Sequence, residues 1–333
     1  MEPTLALVPL IALIGVALAF DFMNGLHDAA NSIATVVSTR VLSPQMAVLW
    51  AAFFNVVAFL FIGLHVAETI GKGIVDPAIV DPAVVLGALA GAIGWNVLTW
   101  YFGIPTSSSH ALVGGLVGAG TAKAGFGAIV TAGVTKTIVF IFAAPILGMV
   151  LAIAMMLITS WLAKPVPAKT ADTAFRRLQL LSSAAYSVGH GANDAQKTMG
   201  IITVLLFSTG YMHGAFHVPV WVVIAAQIAM GLGTLMGGWR IVHTMGSKIT
   251  RLTPHQGFCA ETGGAMLLFG ATAFGIPVST THTITGCIMG VGASRRMSAV
   301  RWGLAGNIVI AWIVTIPAAA LVAAGVYWLA RLV

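Results

Sequence analysis

The sequence has very little charge. Asp, Glu, Lys and Arg make up 8% of its 333 residues, whereas 59% are hydrophobic and the mean hydropathy is +0.98. Soluble globular domains carry about 25% charged residues. The composition therefore predicts an all-α polytopic membrane protein and excludes an ordinary soluble domain.

The sequence contains only two cysteines and no basic residue before its first apolar run. Cys259 and Cys287 lie in apolar stretches without metal-ligand or disulfide spacing, so we expect packing roles and no cofactor. The apolar run 5–20 follows Glu2 and no Lys or Arg, unlike a secretory signal. We interpret it as part of a first membrane helix.

Two polar phrases occur twice, about half the chain apart. Residues 24–31 read NGLHDAAN and residues 190–197 read HGANDAQK; residues 102–110 read FGIPTSSSH and residues 274–282 read FGIPVSTTH. Polar, Gly- or Pro-interrupted segments at matching places in two halves point to the central binding site of a transporter.

Ten apolar segments are long enough to be membrane segments, five on each side of a hydrophilic linker. They cover about residues 4–38, 45–65, 83–101, 106–122, 127–162, 178–208, 218–238, 256–273, 278–293 and 299–330. The first segment of each half is expected to be broken, near Asn24 and near Gly191. The predicted units are repeat 1 (1–162), the linker (163–177) and repeat 2 (178–333).

The formal charge of +7 bears on orientation. Lys and Arg lie in short loops without interleaved aromatic residues, so nucleic-acid binding is not expected. The loops richest in them are the linker 163–177 and the loops after the seventh and ninth segments, and these three are predicted to be cytoplasmic. Five crossings separate the two copies. The repeats are therefore predicted to be inverted, with opposed half-helix hairpins and both termini outside the cytoplasm, in the plasma (inner) membrane.

The acids of the first phrase predict a site for a coupling cation or proton, because intramembrane ionisable residues are usually functional. Gly25 and Gly191 are expected to unwind their helices and free carbonyl oxygens for a cation. The alternative is a carboxylate satisfied by backbone or by Lys197. The candidate coupling residues are Asn24, Asp28, Asn31, Asp194, Glu68 and Glu261. For Glu68 the alternative is a solvated residue in a loop.

The second phrase predicts an anion site. A helix that starts after Pro105 or Pro277 presents free amides and the positive end of its dipole, which favour an anion. The alternative is that the hydroxyls cap helices or pack in the bundle. The candidate substrate-binding residues are Ser107, Ser108, Ser109, Ser279, Thr280, Thr281, Asn193 and Lys197.

A second group of candidates has weaker support. It comprises His27, His110, His190, His282, Asn55 and Gln227. For Asn55 and Gln227 the ordinary interpretation is hydrogen bonding between helices. No metal site is assigned, since the pair His213 and His217 offers too few ligands.

The sequence resembles the inorganic phosphate transporters of the PiT type over nearly its whole length. The resemblance lies in the G-A-N-D-type signatures at 25–28 and 191–194, the P-x-S-x-S/T-H phrases at 105 and 277, and residues 68–70 and 253–261. It implies cation-coupled phosphate uptake, opposed half-helices and a homodimer. It also implies that Asp28, Asn31, Asn193 and Asp194 form the cation and substrate site, and that Glu68 and Glu261 match acids important for transport.

Two departures from that pattern bear on the coupling ion. His27 and Lys197 stand where sodium-driven members typically carry Asn. The ammonium of Lys197 would repel a sodium ion beside Asp194, so a proton is favoured over sodium. Relatives with this Gln-Lys ending resemble proton-coupled carriers of phosphate or of neutral metal-phosphate, so a divalent metal is a candidate co-substrate.

Two other functions would use some of the same residues. A sulfate permease of the same fold would use similar donors, but a carboxylate that accepts a proton from the substrate favours phosphate. A hydrolase built on Ser109, His110 and Asp28 is disfavoured, since adjacent helical residues point apart and no G-x-S-x-G motif occurs. An enzyme is therefore not expected.

Overall fold

The computed structural model describes residues 5–61 and 63–332, and 83% of the chain is helical. No strand occurs among these residues, which confirms the all-α prediction. The α-helices are α1 (Leu7–Ser38), α2 (Pro44–Val56), α3 (His65–Lys72), α4 (Pro82–Phe102), α5 (Ser108–Ala124), α6 (Thr131–Ala163), α7 (Ala168–Ser208), α8 (Val220–Met236), α9 (Trp239–His243), α10 (Pro254–Ala273), α11 (Thr280–Arg295) and α12 (Trp302–Ala330).

Four of these helices, α1, α4, α6 and α12, are long and apolar enough to cross a bilayer by themselves. The outer faces of α6 and α12 expose large apolar side chains such as Ile146 and Leu321. Contiguous exposed apolar surface is unusual for a soluble monomer but is what lipid contact requires. The chain is therefore an integral membrane protein that spans the bilayer several times.

The predicted breaks near Asn24 and Gly191 are wrong, because α1 and α7 run through both positions. The glycines serve close packing instead. A Cβ on Gly25 would lie 2.1 Å from the Met230 carbonyl oxygen of α8, and one on Gly191 would lie 2.5 Å from the Asn55 carbonyl oxygen of α2. Since the backbone stays helical, the expected cage of freed carbonyl oxygens does not form.

The two halves pack together at matching positions, because the last helix of each half packs on a helix of the other half. α12 packs on α5, where a Cβ on Gly114 would meet the Ile316 carbonyl oxygen at 2.5 Å. α6 packs on α11, where a Cβ on Gly286 would meet the Pro145 carbonyl oxygen at 2.1 Å. These pairs support the duplication, whereas the inverted orientation and the proposed repeat boundaries stay predictions.

The hydrophilic linker is largely helical. Residues 164–167 separate α6 from α7, and α7 takes up the rest of the predicted linker as its first turns. At 41 residues, α7 is about 60 Å long at 1.5 Å per residue. It therefore exceeds the ~30 Å bilayer core.

Packing at Gly25 provides a test of the continuous helix. Gly25→Ala should destabilise the protein by about 1–3 kcal/mol, because the new methyl group overlaps the α8 backbone. Gly15→Ala is the matched control in α1, since nothing lies within 4 Å of its Cβ position. Thermal unfolding in detergent measures both variants, and equal midpoints for the two would contradict the packing role.

Candidate functional site

The site centres on Asp28 of α1 and Asp194 of α7, which are both buried. Because α1 and α7 pack together, the two acids and His190 bring ligand atoms within 4.8 Å of one another. The first phrases of the two halves therefore meet at one place, as the sequence predicts.

Asp28 is paired with the neighbouring histidine. His27 Nδ1 lies 2.6 Å from Asp28 Oδ1, and its Nε2 lies 3.0 Å from Thr99 Oγ1 of α4. Thr281 donates a further, long hydrogen bond of 3.5 Å to Asp28 from α11. Asp28 thus joins three elements of the fold.

Asp194 has more partners. The Lys197 ammonium donates to Oδ1, and Thr280 Oγ1 donates to Oδ2 at 2.9 Å. His190 Nε2 lies 3.2 Å from the same Oδ2, although the angle does not give an aligned hydrogen bond. The sequence alternative of a carboxylate satisfied by Lys197 is therefore what is observed at Asp194.

The starts of α5 and α11 lie side by side in the interior. The rings of His110 and His282 are 4.7 Å apart, centroid to centroid. Lys197 links the two starts, because its ammonium donates to Ser109 Oγ and, at 3.2 Å, to the carbonyl oxygen of Val278. The hydroxyl residues of both starts are buried, so they share one polar interior and do not face lipid.

The hydroxyl side chains divide into caps and free donors. Ser107 Oγ accepts from the His110 amide at 3.2 Å, and Ser279 Oγ accepts from the His282 amide at 3.1 Å. Both serines are helix caps, as the alternative stated, yet each hydroxyl keeps its own proton to donate. Ser108 Oγ is buried without a partner among the described residues.

Asn31 connects the two acids through the threonines of α11. Its Nδ2 donates to Thr280 Oγ1 at 3.1 Å and to Thr281 Oγ1 at 3.0 Å. Thr280 Oγ1 in turn donates a hydrogen bond to Asp194, and Thr281 Oγ1 donates one to Asp28. Asn193 lies apart from this chain of bonds and donates to Thr272 Oγ1 at 3.0 Å.

The two glutamates have different surroundings. Glu261 is buried on α10 and accepts hydrogen bonds from Thr35 of α1 and from Gln179 and Ser182 of α7. Glu68 is exposed on α3, where it pairs with Lys72 at 3.0 Å. The structure therefore brings Glu261 to the helices of the site and leaves Glu68 at the surface.

The remaining candidates mostly hold helices together. Asn55 Nδ2 donates to Thr234 Oγ1 at 3.0 Å, which confirms its interhelical role. His190 Nδ1 lies 3.1 Å from Ser32 Oγ. Gln227 is buried, with its Oε1 unpartnered among the described residues.

Sequence reasoning missed Asp21, a buried acid on α1. Its position was readable from the pattern: Asp21 stands seven residues before Asp28, and this spacing places both on one face of a helix. Gln196 stands within the second copy of the first phrase, but its contact is visible only in the structure: its Oε1 accepts hydrogen bonds from the backbone amides of Val66 and Ala67 at the start of α3.

Asp28, Asp194 and His190 are chemically suited to a metal ion, since they offer two carboxylates and an imidazole. The two carboxylates already hold basic partners, however. Lys197 occupies Asp194 Oδ1 and His27 occupies Asp28 Oδ1, so a metal would have to displace a positively charged or hydrogen-bonded partner.

The fold and the site define a class: a polytopic helical membrane protein with a buried polar centre that combines acids and hydrogen-bond donors. The sequence profile of the phosphate transporter family PHO4 matches residues 24–170 and 162–323. The chain belongs to this phosphate transporter family.

Named relatives agree with this family. A protein of Rhizobium meliloti named "Probable low-affinity inorganic phosphate transporter" is 67% identical over the full length of both chains. A Bacillus subtilis protein of the same name is 45% identical over 95% of this chain and 96% of its own. A solved structure titled "The sodium-dependent phosphate transporter" has a TM-score of 0.88 and 26% identity, over 98% of this chain and 100% of that one.

The pair of Lys197 and Asp194 provides a test of the site geometry. Lys197→Met should destabilise the protein by about 3–5 kcal/mol, because it leaves a buried carboxylate without its ammonium. Adding Asp194→Asn should restore much of that loss, since the unpaired charge is then removed. Unfolding of the single and double variants in detergent measures this coupling, and additive effects would contradict it.

Proposed function

We propose that the protein is a symporter of inorganic phosphate that takes up a proton with each anion by alternating access. The observation that carries this proposal is that two hydroxyl donors at the start of α11 and the Lys197 ammonium of α7 donate directly to Asp28 and Asp194. The same donors can serve either a carboxylate or an oxyanion.

This sharing links proton binding to anion binding. While Asp28 is ionised, it holds Thr281 Oγ1. Protonation removes the negative charge and weakens this bond, because bonds to a charged acceptor are roughly twice as strong as neutral ones. The freed hydroxyl, with Ser108 and Ser109, can then turn to phosphate.

The acids also favour phosphate over the alternative substrate, sulfate. Phosphate carries a proton near neutral pH, which a neighbouring carboxylate can accept, whereas sulfate offers none. The relatives' names support phosphate as well. The sulfate alternative would have required a cage of donors without acids in contact.

A proton is the better coupling ion on electrostatic grounds. Lys197 and His27 occupy the two acids that would have to bind sodium, and the charge of Lys197 would repel a sodium ion strongly where the dielectric constant is low. The solved relative is titled sodium-dependent, so sodium is the alternative coupling ion. As parts of the same proposal, we expect the protein to lie in the inner membrane with both termini outside the cytoplasm. We also expect a homodimer, and a divalent metal is a candidate co-substrate.

Uptake into proteoliposomes tests the function. Radiolabelled phosphate should accumulate when the lumen is made alkaline, and arsenate should compete while sulfate should not. A sodium gradient should add little, and omission of magnesium measures whether a divalent metal travels with phosphate. Equal uptake of sulfate, or uptake that requires sodium, would contradict the proposal.

The acid of α1 gives a matched pair of variants. Asp28→Asn should lower phosphate uptake more than 10-fold, because the site loses a group that accepts a proton and holds Thr281. Asp172→Asn is the control, since that acid is exposed and paired with Arg176 at 3.0 Å. Initial rates at equal protein incorporation measure both, and wild-type uptake by Asp28→Asn would refute the site.

A further inference from the structure

Asp21 is a buried acid whose charge the described residues leave unmatched. Its side chain is fully buried, and neither carboxylate oxygen has a hydrogen-bond partner. Asp28, Asp194 and Glu261 each hold a histidine, a lysine or several donors. An isolated buried carboxylate is costly, so Asp21 requires a positive charge from elsewhere.

The surroundings of Asp21 supply oxygen ligands. The side chains of Thr198 and Asn24 lie against its carboxylate and can donate to it, whereas Thr198 Oγ1 and Asn24 Oδ1 have no other partner among the described residues. The charged groups that face it are Asp194 and Lys197 of α7, and Lys197 is already engaged by Asp194. Carboxylate, amide and hydroxyl oxygens together form a hard, acceptor-rich pocket, which is suited to a small cation.

Asp21 lies on the same face of α1 as Asp28. It precedes Asp28 by seven residues of continuous helix, which is about 10 Å along α1 and nearly two full turns. Asn24 lies between them on the same face. A cation at Asp21 would therefore sit close to the anion site without occupying it.

We infer that Asp21, with Asn24 and Thr198, binds the small monovalent cation that is coupled to transport. The cation is either a proton on the carboxylate or a sodium ion held by the three oxygen-bearing side chains. This inference rests on the proposed function and adds a coupling residue to it. Neutralising Asp21 removes a negative charge near Lys197, which leaves the ammonium freer to turn to the anion.

The test separates coupled uptake from exchange. Asp21→Asn mimics the neutral acid, so gradient-driven phosphate accumulation should fall at least 10-fold. Phosphate exchange between equal concentrations should stay measurable, since it needs no release of the cation. Asp21→Glu should recover accumulation, and Asp172→Asn serves as the exposed-acid control. Separate pH and sodium gradients on wild type distinguish the two cations.

The outcomes are distinct. Accumulation by Asp21→Asn equal to wild type overturns this inference alone, and loss of exchange in a folded Asp21→Asn assigns the residue to phosphate binding and overturns its coupling role. If wild type neither accumulates nor exchanges phosphate, the proposed function falls as well.

A second variant covers a failure of Asp21→Asn to fold. Thr198→Val keeps the side-chain volume but removes one oxygen. It should raise the cation concentration for half-maximal uptake several-fold while changing the phosphate KM by less than about twofold. An unchanged cation requirement overturns the inference.

Discussion

The burial of the Lys197 ammonium constrains the centre of this protein more than any other contact. Removing an ion from water costs several kcal/mol even after relaxation, so its partners must be placed accurately. Those partners come from three elements: Asp194 on α7, Ser109 on α5 and the Val278 carbonyl before α11. One side chain thus ties the acids of the first phrase to the helix starts of the second.

Continuous helices decide which atoms can bind a ligand. In an intact α1 or α7 the backbone carbonyls accept from amides of the same helix, so side chains alone supply the chemistry. Gly25 and Gly191 permit this by letting α8 and α2 approach closely. We expect α1 and α7 to move as rigid bodies, because closely packed interfaces shift between discrete arrangements and do not deform gradually.

The sequence predicts the class and the meeting of its polar phrases well, because both follow from strong local constraints. An apolar run of membrane length and a duplicated polar phrase leave few alternatives. The predicted breaks at Gly25 and Gly191 are wrong. A glycine in a helix can either allow the helix to unwind or allow another helix to pack closely, and the sequence alone does not show which of the two occurs. Asp21 was missed since it stands outside the duplicated phrase, and partnerless oxygens become visible only in three dimensions.

The two halves match in position but differ in chemistry. Asp28 is paired with the preceding His27, whereas Asp194 is paired with Lys197 one turn later and faces His190 one turn earlier. A histidine is the side chain suited to exchanging a proton near neutral pH, and an ammonium acts as a compact point charge. In the proposed mechanism, Asp28 therefore takes up the proton and Asp194 holds the donor that recognises the anion. One site can combine the two proposed roles because its two acids have different basic partners.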